Sequence, residues 1–422
     1  MRSRLAVQYI LGLAILAALC GCGGGGGGSA KRSDDTLYTA PSSRIYTLAE
    51  AQQPAEWTVL VYLNADNNLE PAAIANFNQM EMVGSTTNVH VIVQMDRKTG
   101  DDPNNDSWTD TRRYLITNDS DTRRMHSVRL DNPALNELDM GSPTTLYNFV
   151  SWGMRSFPAE HYLLVIWDHG TGWTIRSQSV MPQYKYVSID STSGTSINVT
   201  QLSTVLASLH PDVIAFDACY MQQLEVAYQL SYCADYLVGS SAAVPSAGYN
   251  YARILSNIAN GCTPEQLSRM MVQQYALEYP NPMSNIVESA VDLSKVGALA
   301  DAASQFGRRL QEHSNGLGNA LAAARSASLD YSSTGVAQYN VDILDYASRC
   351  AGAVGSSTDA NYASLVSAYN AAVIASYHNS DMPNAHGLAI YAPAPANYDS
   401  RYGQLQFAQN TLWDEWLKNQ PE

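Results

Sequence analysis

Two apolar runs, each ending in reactive side chains, set the strongest limit on how this chain folds: LLVIWDHGTGW over residues 163–173 and DVIAFDACYM over 212–221. Unbroken apolar runs of this kind fit strands buried on both faces of a parallel sheet, and ligands in open α/β sheets sit at the C-terminal tips of such strands. The tips here carry His169 and Cys219. Between the runs lie a Ser/Thr-rich stretch, 176–196, expected to be irregular, and a helix-patterned segment, VTQLSTVLASLH, over 199–210. A right-handed crossover through that helix returns the chain parallel to the first strand, beside it or one strand away, and neighbouring strands are only about 4.8 Å apart. The spacing therefore permits a thiol nucleophile and an imidazole base over one cleft, the pair a cysteine hydrolase needs.

The N-terminus reads as an export signal. Arg2 and Arg4 precede an apolar run, 5–19, and LCGC at 19–22 resembles a lipobox in which Cys22, preceded by Gly21, is the residue to be acylated. Residues 1–28 are then a lipoprotein-type signal and a Gly-rich tether, and 29–55 a linker or propeptide. The expected location is the periplasmic face of a membrane or the cell surface, as an exported bacterial lipoprotein. With a net charge of −15 and no basic cluster, nucleic acid is not an expected partner. Besides Cys20 and Cys22 the chain has only Cys219, Cys233, Cys262 and Cys350, so no disulfide framework is expected.

The first globular strand, within WTVLVYLNADNNLE, runs into the polar turn NADNN at 64–68 and then a helix over 69–82. Asp66 or Asn67 fits a helix cap with Glu70 as the return partner. A strand at 88–97 follows, and after it Asp102, Asn104 and Asp106 have the opening spacing of a calcium loop. Ser107 and Arg113 then stand where such a loop needs glycine and a bidentate glutamate, which leaves a solvated hairpin tip. Further helices are expected at 144–155, 222–230, 263–277, 293–313, 342–350 and 360–377, and strands at 113–116, 236–240, 285–291 and 386–393. His386, at that last strand entry, reads as structural. The alternation points to an α/β/α sandwich on a mostly parallel sheet.

The motifs VYLNADNNLE (61–70), DR…W…TRRY (96–114), LDMGSPTTLYNFVSWG (138–153), AEHYLLVIWDHGTGW (159–173), DVIAFDACYMQQLEVAYQL (212–230) and YLVGS (236–240) stand in an order that resembles the clostripain family of cysteine peptidases. The resemblance implies a caspase-like fold, with a catalytic core over 56–260 and additional C-terminal helices and strands over 261–422 packed on it. It implies Cys219 as nucleophile, His169 as acid/base, the amides of Gly170 and Cys219 as oxyanion hole, and Asp217 as the carboxylate that draws Arg or Lys into the P1 pocket. Asp168 is expected to orient the histidine loop. A helix starting near Met221 would lower the pKa of the thiol. Self-cleavage between the histidine and cysteine strands is implied too, with Arg176 and Lys185 as the candidate sites. The residues themselves point to no cofactor; the resemblance implies a calcium dependence that occurs in the family, but no ligand set is legible.

One stretch departs from the pattern. The loop SAAVPSAGYNY, 241–251, carries no acid where the family usually has one, which weakens the implied preference for basic P1 residues. The expected function is a secreted, lipid-anchored cysteine endopeptidase acting on proteins or peptides. The alternative is a catalytically silent relative that uses the same groove to bind them.

Overall fold

A computed structural model describes residues 47–98, 105–131, 134–175, 185–281, 285–331 and 339–421. Cys22, Arg176, Asp102 and Asn104 lie outside these residues. Strands β1 (Ala55–Ala65), β2 (Val89–Arg97), β3 (Arg112–Leu115), β4 (Val128–Arg129) and β5 (Ala159–Trp167) are followed by β6 (Gly170–Ile175), β7 (Lys185–Asp190), β8 (Thr195–Ile197), β9 (Val213–Asp217) and β10 (Tyr236–Gly239). The C-terminal part adds β11 (Val287–Asp292), β12 (Asn340–Asp342), β13 (Val373–His378) and β14 (Ala389–Tyr391). Nine of them form one sheet in the order β13-β11-β10-β9-β5-β1-β2-β3-β4. The five central strands, β10 to β2, are parallel, and antiparallel strands extend both sides.

The central strands are largely apolar because both faces of the sheet are covered. Leu60, Tyr62, Leu164, Ile166, Ile214 and Phe216 enter one core; their neighbours Val59, Val61, Leu163, Val165, Val213 and Ala215 enter the other, as the period of two requires. Each such aliphatic side chain contributes about 1.5–3 kcal/mol on burial. The first core lies under helices Pro143–Ser156, Val199–Leu206, Leu224–Gln229, Val296–His313, Ile343–Val354 and Asp359–Ala372. The second lies under Glu70–Glu81, Tyr251–Ile258 and Pro264–Glu278. The architecture is the expected α/β/α sandwich, and the crossover sets β9 directly beside β5 in parallel.

Several local expectations change. The stretch taken as irregular is ordered where described, since β7 and β8 join β6 in a second, three-stranded sheet. Lys185, the second candidate cleavage site, is the first residue of β7 and pairs in register with Ile175. The expected helix over 360–377 ends at Ala372, and the β-branched run that follows becomes β13 at the sheet edge. The segment 386–393 gives a short strand, β14, paired with β12 rather than with the main sheet.

Candidate active site

Because β10, β9, β5, β1 and β2 are parallel, the loops after them share one edge of the sheet. In register, Trp167 of β5 faces Asp217 of β9, and the amide of Asp168 donates to the Asp217 carbonyl at 3.3 Å. His169 and Cys219 each stand two residues beyond that matched pair. Gly170 then packs directly on the next loop, where an added β-carbon would overlap the carbonyl oxygen of Cys219. Glycine is therefore needed after the histidine for close approach of the histidine and cysteine loops. The structure thus brings His169, Gly170, Asp217 and Cys219 together.

The cysteine loop is tightly held. Tyr220 adopts φ 61°, a left-handed conformation that costs a non-glycine residue roughly 1–2 kcal/mol, and its amide is pinned to the Ala242 carbonyl at 2.9 Å. Gln222 donates to Ser240 in the same way at 3.0 Å. Across from the sulfur, the amide of Val244 donates to Cys219 Sγ at 3.2 Å. The helix expected to begin near Met221 starts at Leu224 and is six residues long. Burial, with the nearby carboxylates Asp217 and Asp168, holds the thiol pKa above its usual value.

The histidine loop is held from the turn NADNN. Asn68 Oδ1 lies 2.9 Å from His169 Nε2, a bond that selects the tautomer protonated there and makes Nδ1 the basic nitrogen. Burial lowers the His169 pKa to about 4, so the imidazole is uncharged at neutral pH. Asp168 is buried and accepts from Asn67 Nδ2 at 2.8 Å and from the Ile189 amide, which is the orienting part expected of it. The capping reading of this turn does not hold. Asn67 Oδ1 accepts from Leu69, the helix N-cap, but Glu70 forms no capping box; it pairs with the buried guanidinium of Arg97 at 2.6 Å.

Asp217 is almost wholly buried, and its Oδ2 accepts from the Tyr249 amide at 3.1 Å and the Tyr251 hydroxyl at 2.9 Å. It therefore holds the acid-free loop 241–251 in place; Gly248 (φ 61°) leaves no room there for a side chain against the carboxylate. Burial raises the Asp217 pKa to about 6. Behind it, Glu288 of β11 is fully buried and bonds the Tyr249 hydroxyl at 2.7 Å, its pKa held well above the usual range by burial and by Asp217. No motif pointed to Glu288. Away from this edge, His386 is bound to Asp342 at 2.7 Å, the structural role expected of it, and Cys219, Cys233, Cys262 and Cys350 are all free thiols.

A second group of acids lies along the same edge, beyond the histidine loop. Carboxylate oxygens of Asp66, Asp96 and Glu137 all lie within 4.8 Å of one another. Burial and the mutual repulsion of these acids with Asp190 push the Asp96 pKa up to about 9 and that of Glu137 to about 7. Sequence spacing hid this group because its members come from three separate segments.

Comparison with known proteins agrees with this fold. Clostripain from Hathewaya histolytica is 27% identical over 222 residues, which cover 48% of this chain and 42% of that protein. The chain thus matches less than half of that relative's length. An inactive zymogen of a C11 protease from Parabacteroides distasonis superposes with a TM-score of 0.66 at 21% identity, over 85% of this chain and 99% of that one. A secreted C11 cysteine protease from Bacteroides thetaiotaomicron, solved with an irreversible peptide inhibitor, gives 0.63 at 21% identity over 86% and 99%. These two share the caspase-like fold. Residues 61–419 match the clostripain family, peptidase family C11, and the chain belongs to that family.

Proposed function

We propose that this chain is a cysteine endopeptidase in which Cys219 attacks the scissile carbonyl and His169 carries the proton. The observation that supports it most is the adjacency of β5 and β9 with Trp167 opposite Asp217, which sets the two loops against each other at one sheet edge. In the resting state thiol and imidazole are both neutral. Sulfur therefore attacks as its proton passes to His169; the imidazolium so formed protonates the leaving amine, and water then releases the acyl group with His169 as base. The Val244 amide on Sγ favours the developing thiolate. The backbone amides of Cys219 and Gly170 are the donors for the oxyanion.

Asp217 supplies the negative charge for Arg or Lys at P1, in a pocket whose loop has no acid of its own. Cleavage after Arg176 or Lys185 would let the enzyme process itself. Export and acylation of Cys22 would hold it on a membrane; among the described residues no helix is long and apolar enough to cross one. Fluorogenic peptides varied at P1, run with wild type, Cys219→Ala and Asp217→Asn, test the chemistry. Turnover after Arg or Lys that disappears with Cys219 supports the reading. The acid-free loop favours one competitor, a silent peptide binder, and absence of both turnover and labelling of Cys219 by a peptide electrophile would select it. For the anchor, Cys22→Ser should move the protein from the membrane to the soluble fraction.

A further inference from the structure

We propose that Asp66, Asp96 and Glu137 form a binding site for a hard divalent cation, calcium, at the tips of β1 and β2. Asp66 and Asp96 have no exposed surface, while Glu137 lies open to solvent at the mouth. Each buried acid uses one oxygen to bind the fold and leaves the other without a donor. Asp66 Oδ2 accepts from the Thr192 amide at 2.7 Å, and Asp96 Oδ1 from the Arg97 amide at 3.0 Å. Asp66 Oδ1 and Asp96 Oδ2, the remaining oxygens, are shut from solvent and accept no hydrogen bond. Beside them Asp190 has both oxygens engaged, by the amides of Ser193 at 2.6 Å and Met140 at 2.8 Å, and adds charge to the group.

Buried acceptors are almost always satisfied, and a buried carboxylate needs a cation or a proton. Among the described residues, none of these four acids takes part in an ion pair; Arg97, the nearest basic residue in the chain, is given to Glu70. Oxygen donors alone select a hard ion, and calcium–oxygen distances of about 2.3–2.6 Å make a shell about 4.6–5.2 Å across, which oxygens within 4.8 Å of one another fit. Magnesium needs a tighter shell and keeps its water more firmly. The calcium dependence that family resemblance implied thus acquires particular residues in this chain.

Position gives the ion a consequence. Asp66, Asn67 and Asn68 are consecutive; the second is bonded to Asp168 and the third to His169. An ion on Asp66 fixes the turn that orients the histidine loop, so Asp66, Asp96 and Glu137 act as positioning residues for His169.

The test is calorimetric titration of the purified chain with calcium after treatment with EGTA, alongside thermal melts at rising calcium. Because binding is read without turnover, its outcome is independent of the peptidase reading. Wild type should take up one calcium with a dissociation constant of about 1 mM or lower, and its midpoint should rise with calcium. Asp96→Asn and Glu137→Gln should each weaken binding by about tenfold or more. The exposed position of Glu137 makes its variant the control for misfolding. No uptake by wild type at about 10 mM calcium, unchanged affinity in both variants, or tighter binding of magnesium than of calcium would each overturn the assignment.

Discussion

The two halves of this sheet edge hold their buried carboxylates differently. At the tips of β5 and β9, Asp168 has both oxygens bonded, by Asn67 and Ile189, and Asp217 accepts two bonds on one oxygen, from Tyr249 and Tyr251. At the tips of β1 and β2, Asp66 and Asp96 each keep one oxygen with no donor. Engaged carboxylates shape a pocket before any ligand arrives, whereas an unengaged pair is complete only with one. On the proposed readings, the half that carries Cys219 is preorganised and the acidic half is to be filled. The turn NADNN joins them, so occupancy in one half reaches the geometry of the other.

That comparison can be broken most directly at the sulfur. Cys219→Ala should lower kcat/KM by roughly 10⁴-fold or more while leaving calcium uptake and the thermal midpoint unchanged. A variant with substantial turnover would remove Cys219 from the chemistry. His169→Ala should cost roughly 10²–10⁴-fold in kcat, again with calcium binding intact.

Asp217→Asn separates charge from scaffolding. For Arg-P1 peptides kcat/KM should fall by roughly 10²-fold, and for neutral P1 peptides much less. The pH profile sharpens the point. The Asp217 pKa is raised to about 6, so its carboxyl is neutral below that pH and charged above it. Wild-type kcat/KM for Arg-P1 peptides should therefore rise through about pH 6, and the rise should vanish in Asp217→Asn and for neutral P1 peptides. His169, with a pKa of about 4, is already a free base throughout that range and adds no limb near pH 6. A profile flat through pH 6 for basic peptides would assign Asp217 to loop support alone.

Smaller effects read the two halves against each other. Asn68→Ala should lower kcat by about tenfold with little change in KM, because it loosens the imidazole without touching the P1 pocket. In EGTA, Asp217→Ala should lower the unfolding free energy by about 1–3 kcal/mol through its lost loop bonds, whereas Asp96→Asn should change it by less than about 0.5 kcal/mol, since its second oxygen has no partner to lose. Denaturant melts of both variants measure the contrast.

The sequence by itself determined the central apolar strands and their mostly parallel run, and it set His169 and Cys219 at the ends of two of them, because an apolar run bounded by turn residues is a local signal and the crossover length leaves few topologies. It also placed Asp217 two residues from Cys219, by simple adjacency along the chain. Tertiary structure decided what depends on partners far apart in the chain. Glu70, locally a capping residue, turns instead to Arg97, since a buried guanidinium requires a carboxylate more than a helix end requires a second cap. The run after Ala372 leaves its helix because β11 offers an unpaired edge. The donor to Sγ is a backbone amide, Val244, whose side-chain identity carries no signal. Asp66, Asp96 and Glu137 meet only because β1 and β2 are parallel neighbours and the loop before Pro143 folds back over their tips. Spacing along a chain reports what one element can do, and charge meeting charge across elements is visible only once the sheet has closed.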